Sequence, residues 1–277
     1  MIKSSSIVIA VLVFAGLAGC ASEPFDPTTP DPGPVEYTLI WQDEFDGLAG
    51  QPPDPANWTY DIGGGGWGNN QLEYNTGRPE NVSLDGMGHL RIIAREESFL
   101  GNDYTSGRIK TQGRFTHTYG RWEARIQLPV GRGIWPAFWM LGSNFASVGW
   151  PECGEIDIME YRGQFPNVVN GALHGPGYSG NTPLNGSYTL SGGGFNEGFH
   201  VFAVEWTRNS ISWLVDGTTY MTQEVGDLPG GSRWVFNHPF FILLNVAVGG
   251  NYVGSPDPST QFPQTMLVDY VRVYKAE

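Results

Sequence analysis

From Tyr37 to the C-terminus, apolar and polar residues alternate with a period of two. In residues 121–128, RWEARIQL, the side chains of Trp122, Ala124, Ile126 and Leu128 share one face and polar groups take the other, as in a half-buried strand. Residues 200–206 (HVFAVEW), 211–217 (ISWLVDG) and 266–274 (MLVDYVRVY) are further strand candidates. Asp216-Gly217 predicts a tight turn that pairs 211–217 with 218–223 as a hairpin. Residues 240–248, FFILLNVAV, are almost wholly apolar, the composition of a strand covered on both faces. No stretch of this region carries a long helical period, so two stacked antiparallel sheets are expected.

One strand candidate concentrates acidic residues. In residues 154–163, GEIDIMEYRG, Glu155, Asp157 and Glu160 are interleaved with Ile156, Ile158 and Met159. A regular strand puts Glu155, Asp157 and Met159 on one face and sends Glu160 to the other. One extra residue, a bulge near Met159, returns Glu160 to the acidic face. Like charges stacked on a strand repel, so the pattern asks for a chemical use. Glycoside hydrolysis with retention provides one: an ionised carboxylate as nucleophile and a protonated carboxyl as acid and then base, about 5–5.5 Å apart. The summed negative charge would keep one carboxyl protonated. A solvated acidic face or a calcium site is the alternative reading of such a triplet.

GEIDIMEYRG, preceded by GIWPAFWMLG at 133–142, resembles the active-site strand of glycoside hydrolase family 16. The form with Met before the last Glu is similar to the laminarinase branch, the endo-β-1,3-glucanases. ALHGPGYSG at 172–180 and FILLNVAVGGN at 241–251 resemble laminarinase segments as well. The resemblance runs from about Tyr37 to the end and implies a β-jelly-roll sandwich with a concave substrate groove. It implies Glu155 as nucleophile, Asp157 as its assisting carboxylate and Glu160 as general acid/base, with a β-glucan as substrate. Mixed-linkage glucan, an algal galactan, or a non-catalytic glucan-binding role on the same fold are the alternatives.

Sugar rings stack their C–H faces on indoles. Trp135 and Trp139 match the family's WPAFWM and are expected in the groove, with Trp150 and Trp234 as further walls; Trp122 is expected in the core. His174 matches a groove histidine of the family. Residues 63–68, GGGGWG, lack the Lys-Ser/Thr and helix of a phosphate loop. By the resemblance, that region and Asn81 border the glycone side, with Asn70, Glu73 and Arg78 as hydrogen-bonding partners of the sugar. The other histidines, His89, His117, His200 and His238, read as structural. No cofactor is expected for catalysis. The family's structural calcium would fall on Glu44, Gly86 and Asp269.

Composition narrows the partners. A formal charge of -13 over 277 residues argues against nucleic acid, because no basic stripe is available to neutralise phosphates, and favours a neutral polymer. Lys3, the apolar run 7–17 and Leu17-Ala18-Gly19-Cys20 form an export signal that resembles a bacterial lipobox. Residues 1–19 are then the signal, and Cys20 carries lipid. Residues 20–36, with five prolines, form a spacer, and residues 37–277 form the catalytic domain. Attachment to the cell envelope, at the outer membrane, is expected, with secretion as the alternative; membrane contact is through the anchor alone. With Cys20 acylated, Cys153 is left single, a small apolar residue rather than a nucleophile. A monomer is expected.

Overall fold

The computed structural model describes residues 35–277, so the export signal, Cys20 and most of the proline-rich spacer lie outside the described residues. Among the described residues, seventeen strands form two sheets packed face to face. The site-bearing sheet has the order β12 (Leu184–Thr189), β11 (Val168–His174), β10 (Glu155–Tyr161), β9 (Ile134–Gly142), β16 (Phe240–Val248), β7 (Arg108–Lys110) and β2 (Thr59–Tyr60). The opposing sheet runs β15 (Thr218–Glu224), β14 (Ser210–Val215), β13 (His200–Trp206), β8 (Gly120–Gln127), β17 (Gln264–Ala276), β5 (Leu90–Phe99), β6 (Asn102–Ser106) and β3 (Glu73–Asn75). On it, β1 (Tyr37–Asp43) joins β17 and β4 (Val82–Leu84) joins β5. The pairings are antiparallel except for β3 with β6. This is the jelly-roll sandwich with a substrate groove that the sequence implied.

Alternation decides which side chains enter the interior. Trp122, Ala124 and Ile126 of β8 and Val204 and Trp206 of β13 are buried between the sheets. They meet Phe138 and Met140 of β9 and Ile242, Leu244 and Val246 of β16. All nine residues of β16 are buried, because its other face also carries apolar groups. Those groups form two small clusters beneath the groove, Leu141, Cys153, Phe241 and Leu243 on one flank and Trp135, Ala247 and Val253 on the other. At the 211–223 hairpin, Asp216 and Gly217 both take positive φ, 47° and 80°, the handedness a two-residue turn requires.

β10 is irregular where the charge pattern demands it. Against β9 the register shifts between Asp157 and Met159, and against β11 between Asp157 and Glu160. Ile158 and Met159 consequently both point into the core between the sheets, and Glu160 returns to the face of Glu155 and Asp157. A bulge interrupts the ladder. There the indole N–H of Trp213, reaching across the core from β14, donates to the Asp157 carbonyl at 2.8 Å. Gly171 on β11 makes room for this indole: a Cβ there would lie 2.4 Å from the Trp213 ring.

Deletion of Met159 leaves EIDIEYR, in which plain alternation already puts all three acids on one face. The deletion variant should fold with the site intact and lose about 2–5 kcal/mol through the missing buried side chain, measurable by urea unfolding. A variant that folds but exposes Tyr161 would contradict this account of the bulge.

Candidate active site

The site is assembled on four neighbouring strands, β11, β10, β9 and β16, with β7 at its edge. On β10, Asp157 is buried, and Glu155 and Glu160 are half-buried. Each glutamate receives its own indole donor. Trp150, on the loop after the single helical turn α1 (Phe145–Val148), donates to Glu155 Oε2 at 3.1 Å. Trp135, at the start of β9, donates to Glu160 Oε1 at 3.1 Å. His174 faces Glu155 across the β10–β11 register, its Nε2 3.2 Å from Asp157 Oδ2 and 3.8 Å from Glu155 Oε1.

Loss of water is the main force on these carboxyls, and it favours their neutral forms. Burial, then repulsion from Asp157, pushes Glu160 up to about 8. Glu155 is raised by the same two causes and opposed by His174 and Arg108, and Asp157 is raised by burial. A cluster of this kind retains a proton at neutral pH.

Several groups that the sequence reading did not single out complete the floor. Arg108 of β7 lies between the rings of Trp67 and Trp139, 4.9 Å from each centroid, and pairs with Asp61 at 3.0 Å. The Trp139 indole donates to Asn245 Oδ1 at 2.8 Å. Tyr252, on the loop after β16, packs 5.0 Å from Trp135 and donates to Asn170 at 3.0 Å. A lone arginine or asparagine inside a strand carries no sequence signal; these become legible only through register.

The other expected sugar contacts have partners within the protein. Glu73 is buried, and its carboxylate accepts the Val248 amide at 2.8 Å and is pushed up to about 7 by burial. It ties β3 to the end of β16 and offers no surface to a ligand. Arg78 is committed to Glu97 and to Asn81 Oδ1, and Asn81 is fully buried, donating to the Ile93 carbonyl at 3.0 Å. These residues tie the segment before β4 to β5. Asn70 bonds Asn251 at 2.9 Å and so fastens the glycine-rich loop to the loop after β16. Trp234 packs edge-on against Phe236 at the margin of the main core, 4.9 Å between centroids. Cys153 is buried, its thiol pushed up to about 11 by burial and by Glu155.

The two carboxylates expected to hold calcium are engaged by arginines. Both oxygens of Glu44 accept from Arg272 at 2.8 Å, and Asp269 is paired with Arg125. A Cβ at Gly86 would meet the Ala49 amide at 2.9 Å. A cation at this set would have to displace two guanidinium groups, so the arrangement does not fit the ion. Among the described residues, the one close group of three metal-type donors is Glu155, Asp157 and His174, mutually within 4.8 Å, which is the carboxylate site itself.

Comparison with known proteins points the same way as the geometry. The model of the glycosyl hydrolases family 16 matches residues 67–272. A beta-glucanase of Rhodothermus marinus is 41% identical over 288 residues, covering 99% of this chain and 95% of that protein. The catalytic domain of an endo-1,3-beta-glucanase (laminarinase) from Thermotoga petrophila RKU-1 superposes with a TM-score of 0.82 at 46% identity, over 88% of this chain and 99% of the other. The endo-beta-1,3-glucanase of Pyrococcus furiosus gives 0.83 at 46%, over 88% and 96%.

The raised carboxyls bear on stability. Glu160 titrates near 8 when folded and near 4.5 as a free side chain, so between these values the folded state binds more protons and stability falls as pH rises. Glu160→Gln removes that liability. Its stability gain over wild type should be absent near pH 4 and reach about 1–3 kcal/mol at pH 8, as read by urea unfolding at the two pH values. A pH-independent difference would contradict the assignment.

Proposed function

The chain belongs to glycosyl hydrolase family 16, and from that premise we propose that it is a retaining endo-β-glucanase that cleaves β-1,3-glucosidic linkages by double displacement. The observation that carries this reading is the β10 bulge, which puts two glutamates on one face, each with a separate indole donor. Glu155 attacks the anomeric carbon as a carboxylate, and the C1–O bond breaks as Glu160 delivers its proton to the leaving oxygen. The Trp135 bond occupies Oε1 of Glu160 and leaves Oε2 to carry that proton. Glu160, now ionised, then takes a proton from water as the water oxygen attacks C1 and releases Glu155.

Asp157 sits between the two in sequence and within reach of His174. Its negative charge strengthens the proton affinity of Glu160, and a proton shared within the cluster can move off Glu155 as the nucleophile forms. Trp139 and Arg108 form a flat surface on the β7 side of the acids, suited to a pyranose face and its equatorial hydroxyls. The β-1,3 preference rests on two relatives named as endo-1,3-beta-glucanases, each 46% identical. A purely binding role would not need two mutually repelling glutamates in a groove.

Reducing-sugar release from laminarin, lichenan and agarose tests the reading. Laminarin is the expected best substrate. Glu155→Gln and Glu160→Gln should each lower kcat/KM on it by about 10³-fold or more. Retention of laminarin on an affinity gel without hydrolysis of any of the three polymers would leave a binding protein instead.

A further inference from the structure

Arg162 takes no part in the ion pairs that occupy Arg108, Arg121, Arg125 and Arg272, each of which holds a carboxylate. Among the described residues no carboxylate pairs with it. It follows Glu160 by two positions, so the alternation of β10, continued past Tyr161, brings it to the same face. Its guanidinium carbon lies 4.9 Å from the centroid of Phe165 and 5.0 Å from that of Tyr252. Phe165, in the turn between β10 and β11, is 47% exposed, so the clamp opens to the groove edge. The phenol of Tyr252 is fixed by Asn170 at 3.0 Å, and its ring leans on Trp135, the residue that holds Glu160.

Direction along β10 has a chemical meaning. In a displacement at the anomeric carbon, the nucleophile, C1 and the leaving oxygen are roughly in line. The path from Glu155 to Glu160 therefore runs from the glycone toward the leaving sugar, and Arg162 lies further along it. A guanidinium held by its faces between two rings keeps its N–H edges open, a rigid fork of donors. In a β-1,3-glucan the leaving oxygen is O3, flanked by the O2 and O4 hydroxyls of the same ring. Resting on the glucanase reading, we infer that Arg162, clamped between Phe165 and Tyr252, is a specificity-determining residue that donates to a hydroxyl flanking the leaving oxygen of the departing sugar.

The test compares two substrates for the full chain: laminaripentaose, which leaves as a sugar, and 4-nitrophenyl β-laminaribioside, whose leaving group has no hydroxyls. In Arg162→Met the ratio of kcat/KM for the pentaose to that for the aryl glycoside should fall about 10–100-fold, the range of a charged hydrogen bond. Arg162→Lys should recover part of it. Equal losses on both substrates would show that Arg162 acts through Glu160 or the fold and would overturn the inference, as would an unchanged ratio in Arg162→Met and in a second variant, Arg162→Gln. Wild-type protein inactive on both substrates would sink the glucanase reading itself.

Discussion

The structure depends on keeping three carboxyl groups together on one strand face with little water. Their repulsion and desolvation oppose folding, and the surrounding elements are arranged to hold them despite it. β10 is bonded on both sides, to β9 and β11. Its bulge is fastened across the core by Trp213, and the two glutamates are fixed by Trp150 and Trp135. His174 and Arg108 temper the field without neutralising it. What results is a carboxyl cluster that keeps a proton at neutral pH, as the proposed acid-assisted displacement needs.

That arrangement explains why the interior has three parts. The main core lies between the sheets, where alternation sends Ile156 and Ile158 and the bulge sends Met159. The two smaller clusters under the groove flank the acids, one led by Leu141 and Phe241, the other by Trp135 and Ala247. Between them runs a polar strip of Trp139, Asn245 and Arg108. Apolar flanks lower the local dielectric and strengthen every charge interaction in the strip.

Much of this was legible in the chain itself. Period-two alternation marked β8, β13, β14 and β17, Asp216-Gly217 marked the hairpin, and the spacing of Glu155, Asp157 and Glu160 required the bulge. Glu73, Arg78 and Asn81, expected at the sugar, are held by protein partners in the structure. Their partners, Val248, Glu97 and Ile93, are distant in sequence or on other strands. Glu44 and Asp269 failed as a cation pair for the same reason: Arg272 and Arg125 reach them only after the sheet has formed. Arg108, Trp213, Tyr252 and Arg162 carry no local signal and owe their roles to register and packing.

The central claim is that one bulged strand presents a nucleophile and an acid to opposite sides of a single bond. Proton NMR of the hydrolysis of a laminari-oligosaccharide, read within the first minutes before mutarotation, tests it most directly. The account predicts that the newly formed reducing end appears first as the β-anomer, the product of two displacements. First appearance of the α-anomer would mean that Glu155 activates water instead of attacking carbon, and would contradict the account.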